Sequence, residues 1–311
     1  MTTLFLTHPA ALNHVTPPGH PERVDRLHAI LEALTAERFA ALDRREAPLA
    51  AEAELLRCHA ASYVAEIRAA RPKAGDGNQI DADTFMSEGS WEAALRAVGG
   101  IEAAVDAVLK GEARNAFVAM RPPGHHAERT RAMGFCLFGT VAIAAKYALD
   151  VHGLSRIAVL DFDVHHGNGT QDLLWDEARA VFVSSHQFPL WPGTGRAEET
   201  GAHGQVVNLP LRPGTGGAEM RAAWAPALAR VGAFRPDLIL VSAGFDAHRD
   251  DPLANLMWTE ADYTWITRAI SDLAAEVCGG RVVSALEGGY DLDELAASVA
   301  AHLDVLMERD A

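Results

Sequence analysis

The chain has 311 residues, 49% of them hydrophobic, and a formal net charge of −15. That acidic balance repels phosphate backbones and anionic lipids, which argues against nucleic acid or membrane as a direct partner and favours cationic ligands. The three cysteines, Cys58, Cys136 and Cys278, form neither a disulfide framework nor a C-x-x-C metal pair, the N-terminus lacks a secretory pattern, and no apolar run approaches the ~20 residues of a membrane span; a cytoplasmic protein is expected. In chain order, β-rich apolar runs predict strands at Thr3–Leu6, Ala116–Ala119, Ile157–Phe162, Val181–Ser184, Leu238–Ser242 and Arg281–Leu286. Between them, Ala/Leu-rich periodic segments predict helices at Glu22–Leu34, Ser62–Ala70, Trp91–Leu109, Val141–Leu149, Ala218–Val231, Glu260–Val277 and Leu292–Met307. The alternation indicates an α/β fold with a mainly parallel sheet. Pro/Gly clusters at Thr16–Pro21, Gly75–Gly77, Arg121–Gly124, Pro189–Gly195 and Pro210–Gly217 read as loops within one domain. Ligands bind such sheets at the carboxyl ends of the strands, so these loops should build the site.

Four segments carry chemistry. In Asp161-Phe-Asp-Val-His-His-Gly-Asn168, an extended chain would put Asp161, Asp163 and His165 on one face. Two carboxylates and an imidazole repel and desolvate one another unless a cation or hydrogen-bond donors compensate, and zinc accepts N and O ligands together. Ser242-Ala-Gly-Phe-Asp246 follows another apolar strand; Asp246 is either a helix cap or a third ligand, and as a ligand it completes a set with open coordination positions. Arg121-Pro-Pro-Gly-His-His126 is a stiff turn bearing two imidazoles, suited to acid–base work, to a second metal or to a plain surface loop. Leu286-Glu-Gly-Gly-Tyr290 offers close backbone approach and a phenol able to meet an oxyanion, or simply a turn with a packed Tyr.

Together, in this order and spacing, these segments resemble the histone deacetylase and acetylpolyamine amidohydrolase family, closest to bacterial class II histone deacetylase-like amidohydrolases. Further matches are His20-Pro-Glu-Arg23, His59-Ala-Ala-Ser-Tyr63, Gly134-Phe-Cys-Leu-Phe138, Gly167-Asn-Gly-Thr-Gln171 and Pro192-Gly-Thr-Gly195. The resemblance implies one three-layer arginase-like domain over residues 1–311, with a central, mostly parallel eight-stranded sheet flanked by helices. It implies one catalytic zinc on Asp163, His165 and Asp246. It makes His125 and His126 the catalytic pair, partnered by Asp161 and Asn168, and makes Tyr290 the group that polarises the acyl carbonyl. It implies a structural potassium near Asp161, Asp163, His165, Ser184 and Ser185. It places Gly134, Phe135, Trp191, Gly288 and Gly289 along a substrate channel. Asp83, with Asp81 nearby, is a candidate rim residue or an ordinary loop acid.

The implied reaction is hydrolysis of acyl-lysine in proteins or peptides, with acetylated polyamine as the alternative substrate and a non-catalytic acyl-lysine binder as the alternative of another class. The single Asp in Gly244-Phe-Asp-Ala-His248 favours one metal over a two-manganese, arginase-like centre. Trp191 stands where relatives usually carry Phe or Tyr, and a larger indole could narrow the channel. The short stretch between Arg71 and Ser90 favours an open lysine deacetylase over a channel closed by a dimer, although a homo-oligomer remains compatible with the sequence.

Overall fold

The computed structural model describes residues 2–308, so the ends of the expected 1–311 domain, residue 1 and residues 309–311, lie outside the described residues. The elements, in order, are β1 (Thr3–Thr7), α1 (Val24–Ala33), β2 (Asp43–Glu46), α2 (Glu52–Leu55), α3 (Ala61–Ala69), β3 (Gly77–Gln79), β4 (Phe85–Ser87), α4 (Ser90–Leu109), β5 (Asn115–Val118), α5 (Thr140–Asp150), β6 (Ile157–Asp161), α6 (Asn168–Leu173), β7 (Ala180–Gln187), β8 (Val206–Leu211), α7 (Gly217–Phe234), β9 (Leu238–Ala243), α8 (Glu260–Cys278), β10 (Val282–Leu286) and α9 (Leu292–Glu308). Eight strands form one sheet in the order β2-β1-β5-β10-β9-β6-β7-β8, and every neighbouring pair is parallel. Helices α4 and α5 cover one face, and α1, α7, α8 and α9 cover the other. With both faces covered, β5, β6, β9 and β10 are buried along their whole length, which is why they read as unbroken apolar runs. No helix among the described residues is long and apolar enough to cross a membrane.

The sequence passed over both edge strands. β2 is Asp-Arg-Arg-Glu, mostly exposed, and pairs on one side only. β8 contains Pro210, which the sequence placed in a loop; an edge strand tolerates a missing N–H on its open side. The first helix also starts later than expected, at Val24 instead of Glu22. Arg23 is extended, and Glu22 points into the interior, where Arg121 and Arg26 meet its carboxylate.

Register aligns the site. Asp161 on β6 stands opposite Ser242 on β9 and Ser184 on β7, and Ser242 stands opposite Ala285 on β10, which is level with Val118 on β5. The loops that leave these five adjacent strands therefore emerge side by side.

Candidate active site

β6 ends at Asp161, so Asp163 and His165 lie beyond the strand and their shared face is not a property of extended chain. Carboxylates shape the segment instead. Asp161 Oδ1 accepts the Asp163 N–H at 3.1 Å, Asp163 Oδ1 accepts the His165 N–H at 2.9 Å, and Asp246 Oδ1 accepts the Val164 N–H at 2.8 Å. The Gly288 N–H donates to Asp163 Oδ2 at 2.8 Å. The same arrangement brings carboxylate oxygens to one imidazole nitrogen: His165 Nδ1 is 3.3 Å from Asp163 Oδ1, the oxygen that also accepts the His165 N–H, and 3.1 Å from Asp246 Oδ2.

One potential ligand atom from each of Asp163, His165 and Asp246 falls within 4.8 Å of the others. Burial opposes charge on His165, but the Asp163 and Asp246 carboxylates prevail and hold it up at about 10. Burial and the neighbouring Asp163 raise Asp246. Two buried acids around one nitrogen make a field that favours a cation, and the donor set of one nitrogen and carboxylate oxygens suits zinc.

The histidine pair stacks at 3.9 Å between ring centroids, yet its members have opposite surroundings. His125 Nδ1 lies 3.0 Å from Asp161 Oδ2, and His125 Nε2 lies 3.7 Å from Asp163 Oδ2. Burial disfavours its charge, but Asp163, Asp161 and Glu287 hold it well above the ordinary histidine value. Burial pushes His126 well down, and the cationic His125 and His165 push it further. His126 Nδ1 meets Asn168 Oδ1 at 2.7 Å. Asn168 is oriented by its own amide, which donates to Glu128 Oε1 at 2.8 Å. Its carbonyl oxygen therefore faces His126, which must donate from Nδ1 and keep Nε2 free as an acceptor.

The site opens through a cavity of about 180 Å³ lined by Asp83, His126, Gly134, Phe135, His165, Leu190, Trp191, Leu253 and Tyr290. Gly134 (φ 56°) and Phe135 (φ 68°) both take left-handed backbone, and a side chain at Gly134 would collide with His126 and Trp191. Asp83 does more than edge the rim: its Oδ1 accepts the Gly134 N–H at 3.1 Å, while the Thr84 hydroxyl accepts the Phe135 N–H at 3.1 Å. The Trp191 ring stands edge-on to His126 at 4.7 Å. Gly288 and Gly289 do not line the cavity. Gly288 backs the Asp163 and Asp246 carboxylates, and Gly289 (φ 122°) packs against Leu295 and Phe245. Ser184 bonds His186 at 3.1 Å, and the buried Ser185 hydroxyl has no hydrogen-bond partner among the described residues.

Tyr290 is held from three sides. Its N–H donates to Asp251 Oδ2 at 2.8 Å, Phe135 meets its ring at 5.8 Å, and the Arg26 guanidinium lies 4.9 Å above it. Burial keeps its phenol protonated and able to donate. Arg26 also donates to the carbonyls of Gly289 (2.6 Å) and Glu287 (2.5 Å). Glu287 is buried; its Oε2 accepts the N–H groups of Gly124 (2.7 Å) and His125 (3.1 Å), fixing the histidine turn to β10. The roles of Arg26, Glu128, Asp251 and Glu287 were not drawn from the sequence. Only Glu287 left a signal, as an acid directly after an apolar strand.

The family model described as histone deacetylase domain matches residues 20–306. Histone deacetylase 14, chloroplastic, of Arabidopsis thaliana is 39% identical over 97% of this chain and 76% of its own. A histone deacetylase-like amidohydrolase of Pseudomonas aeruginosa is 42% identical over 91% of this chain and 74% of its own. The crystal structure of the HDA15 HD domain superposes with a TM-score of 0.92 at 33% identity, covering 99% of this chain and 88% of that one.

Proposed function

Because the chain belongs to the histone deacetylase family of deacetylases and amidohydrolases, we propose that it is a zinc-dependent hydrolase that removes acetyl, or another short acyl group, from the side-chain amine of acyl-lysine in proteins or peptides. The observation that carries this reading is the convergence of Asp163, His165 and Asp246 on one point beside the cavity that His126 and Tyr290 line. A zinc ion held by these three residues would acidify water and polarise the scissile carbonyl. His126, neutral and with Nε2 free, takes the water proton as the oxygen bonds to the acyl carbon. It returns that proton to the amine nitrogen as the C–N bond breaks. His125, kept positive by Asp161 and Asp163, supports the negative charge that develops on the carbonyl oxygen, and the Tyr290 hydroxyl donates to the same oxygen. Phe135 and Trp191 flank the aliphatic stem of the substrate.

The proposal includes a potassium ion near Asp161 and Ser184. It is supported by their opposed positions in the sheet. A cytoplasmic location is part of the same proposal.

Tyr290→Phe provides the test. Removing one donor to an oxyanion typically costs about 10²–10³ in rate, so the variant should bind zinc like the wild type but lose that factor in kcat on acyl-lysine peptides. Near-normal turnover by the variant would sink the mechanism. A parallel panel of acyl-lysine peptides and acetylated polyamines decides the substrate, and preferential turnover of the polyamines would replace lysine as the assigned amine.

A further inference from the structure

A second cluster lies on the far side of the loop that carries Asp246. His248 follows Asp246 by two residues and is buried, with 2% of its side chain exposed. Its backbone is fixed by a parallel bridge to Trp258. Its Nε2 atom is buried and has no hydrogen-bond partner among the described residues. That atom faces two carboxylates: Glu294 Oε2 at 3.4 Å and Glu260 Oε2 at 3.7 Å. Each belongs to the first turn of a helix, Glu260 opening α8 and Glu294 near the start of α9, where the helix dipole favours negative charge. The three ligand atoms lie within 4.8 Å of one another.

We propose that His248, Glu260 and Glu294 form a second metal site, for a divalent cation of the zinc class, separate from the Asp163–His165–Asp246 centre. Donors about 2.1 Å from a zinc ion stand about 3.0–3.5 Å apart, so the observed separations need only small side-chain rotations. Two carboxylates and a neutral imidazole balance a double positive charge. His248 Nδ1 accepts the Asp250 N–H at 3.3 Å; when Nε2 coordinates, the ring proton moves to Nδ1, so that bond breaks and the Asp250 carboxylate, 3.7 Å from the same nitrogen, turns to receive the proton. Glu260 and Glu294 are 45% and 30% exposed, which gives the ion a path from solvent and leaves positions for water.

The consequence is mechanical. The loop that contains His248 also contains Asp251, whose carboxylate holds the Tyr290 N–H, and α9 begins two residues after Tyr290. A cation between His248 and Glu294 ties both flanks of the Tyr290 turn together.

The experiment measures zinc bound per chain. Full-length protein is stripped with a chelator, exposed to micromolar zinc, desalted and analysed by elemental mass spectrometry, with thermal melting run in parallel. Wild type should retain two ions. Glu260→Gln/Glu294→Gln should retain one and lose part of the zinc-dependent rise in Tm. His165→Ala should also retain one, and the triple variant none. His248→Gln, combined with circular dichroism, checks that any loss of metal is not loss of fold. A wild type and a double carboxylate variant with equal metal content would overturn the site, as would a second ion that appears only at millimolar zinc. If His165→Ala matches wild type while the carboxylate variant loses an ion, the second site stands and the proposed catalytic centre fails.

Discussion

At the scale of single residues, two adjacent histidines have opposite surroundings, and the proposed mechanism gives them different work. Both are buried, so desolvation lowers both. The difference lies in what each Nδ1 meets: the Asp161 carboxylate for His125 and the neutral Asn168 amide for His126. A neutral acceptor orients the ring without stabilising its positive form. With its folded pKa depressed, His126 stays neutral at neutral pH, and the acid limb of kcat/KM should lie below the ordinary histidine range. Asn168→Asp places a carboxylate 2.7 Å from the same nitrogen, which favours the protonated ring. The acid limb should move up by about one unit or more, and activity near neutrality should fall. Glu128 would then face a carboxylate in place of an amide donor, so Asn168→Asp is best compared with Asn168→Asp/Glu128→Gln. A pH–rate profile that stays put, or moves down, would show that His126 is not the proton acceptor.

At the scale of elements, the site depends on charges that fasten loops to one another. Glu22, outside α1, receives Arg121 Nη2 at 2.6 Å and Arg26 Nη1 at 3.1 Å, with His14 Nε2 at 3.3 Å. Arg121 continues to the carbonyls of Ala11 and His14, and Arg26 to the turn that carries Tyr290. Burial resists the Glu22 charge, but Arg121 above all keeps the carboxyl well below its usual range. A depressed carboxylate adds stability that is present above its unfolded pKa, about 4.3, and is lost as pH falls toward the folded value. Glu22→Gln leaves two buried guanidiniums without their counter-charge and should destabilise the fold by about 3–5 kcal/mol in urea titrations. It should also flatten the acid sensitivity of stability below about pH 4.3. A loss under about 1 kcal/mol would mean that the cluster is wet or dispensable.

The same network marks the limit of what the sequence made legible. Asp161, Asp163, His165, Asp246, the histidine pair and Tyr290 could be singled out as candidates because they fall in short segments at or soon after the end of an apolar strand or in a stiff turn, and the central strands could be read because both faces are covered. Glu22, Arg26, Glu128 and Glu287 could not. Arg26 meets Glu287 261 positions away and Arg121 meets Glu22 99 positions away, so locally each looks like a solvated charge. β2 and β8 were lost for a related reason: an edge strand has half the pairing and half the cover, so polar residues and Pro210 fit it.

At the scale of the molecule, a parallel sheet brings distant segments to one end, and the narrow cavity opens in a body of net charge −15. Such a body attracts a basic peptide over distances set by the ionic strength; the screening length falls from about 30 Å at 0.01 M to about 3 Å at 1 M. In the proposed mechanism attraction acts on encounter and leaves the bond-breaking steps alone, since those are assigned to His125, His126 and Tyr290 within the site. For a lysine-rich acyl-lysine peptide, kcat/KM should therefore fall about tenfold between 0.01 M and 0.5 M salt while kcat stays level. A neutral acyl-lysine peptide of the same length should show almost no change. If both fall in parallel, salt is acting on the fold or on bound metal. If neither moves, the acidic surface serves solubility, and selection among amines rests on the channel at Phe135 and Trp191 alone.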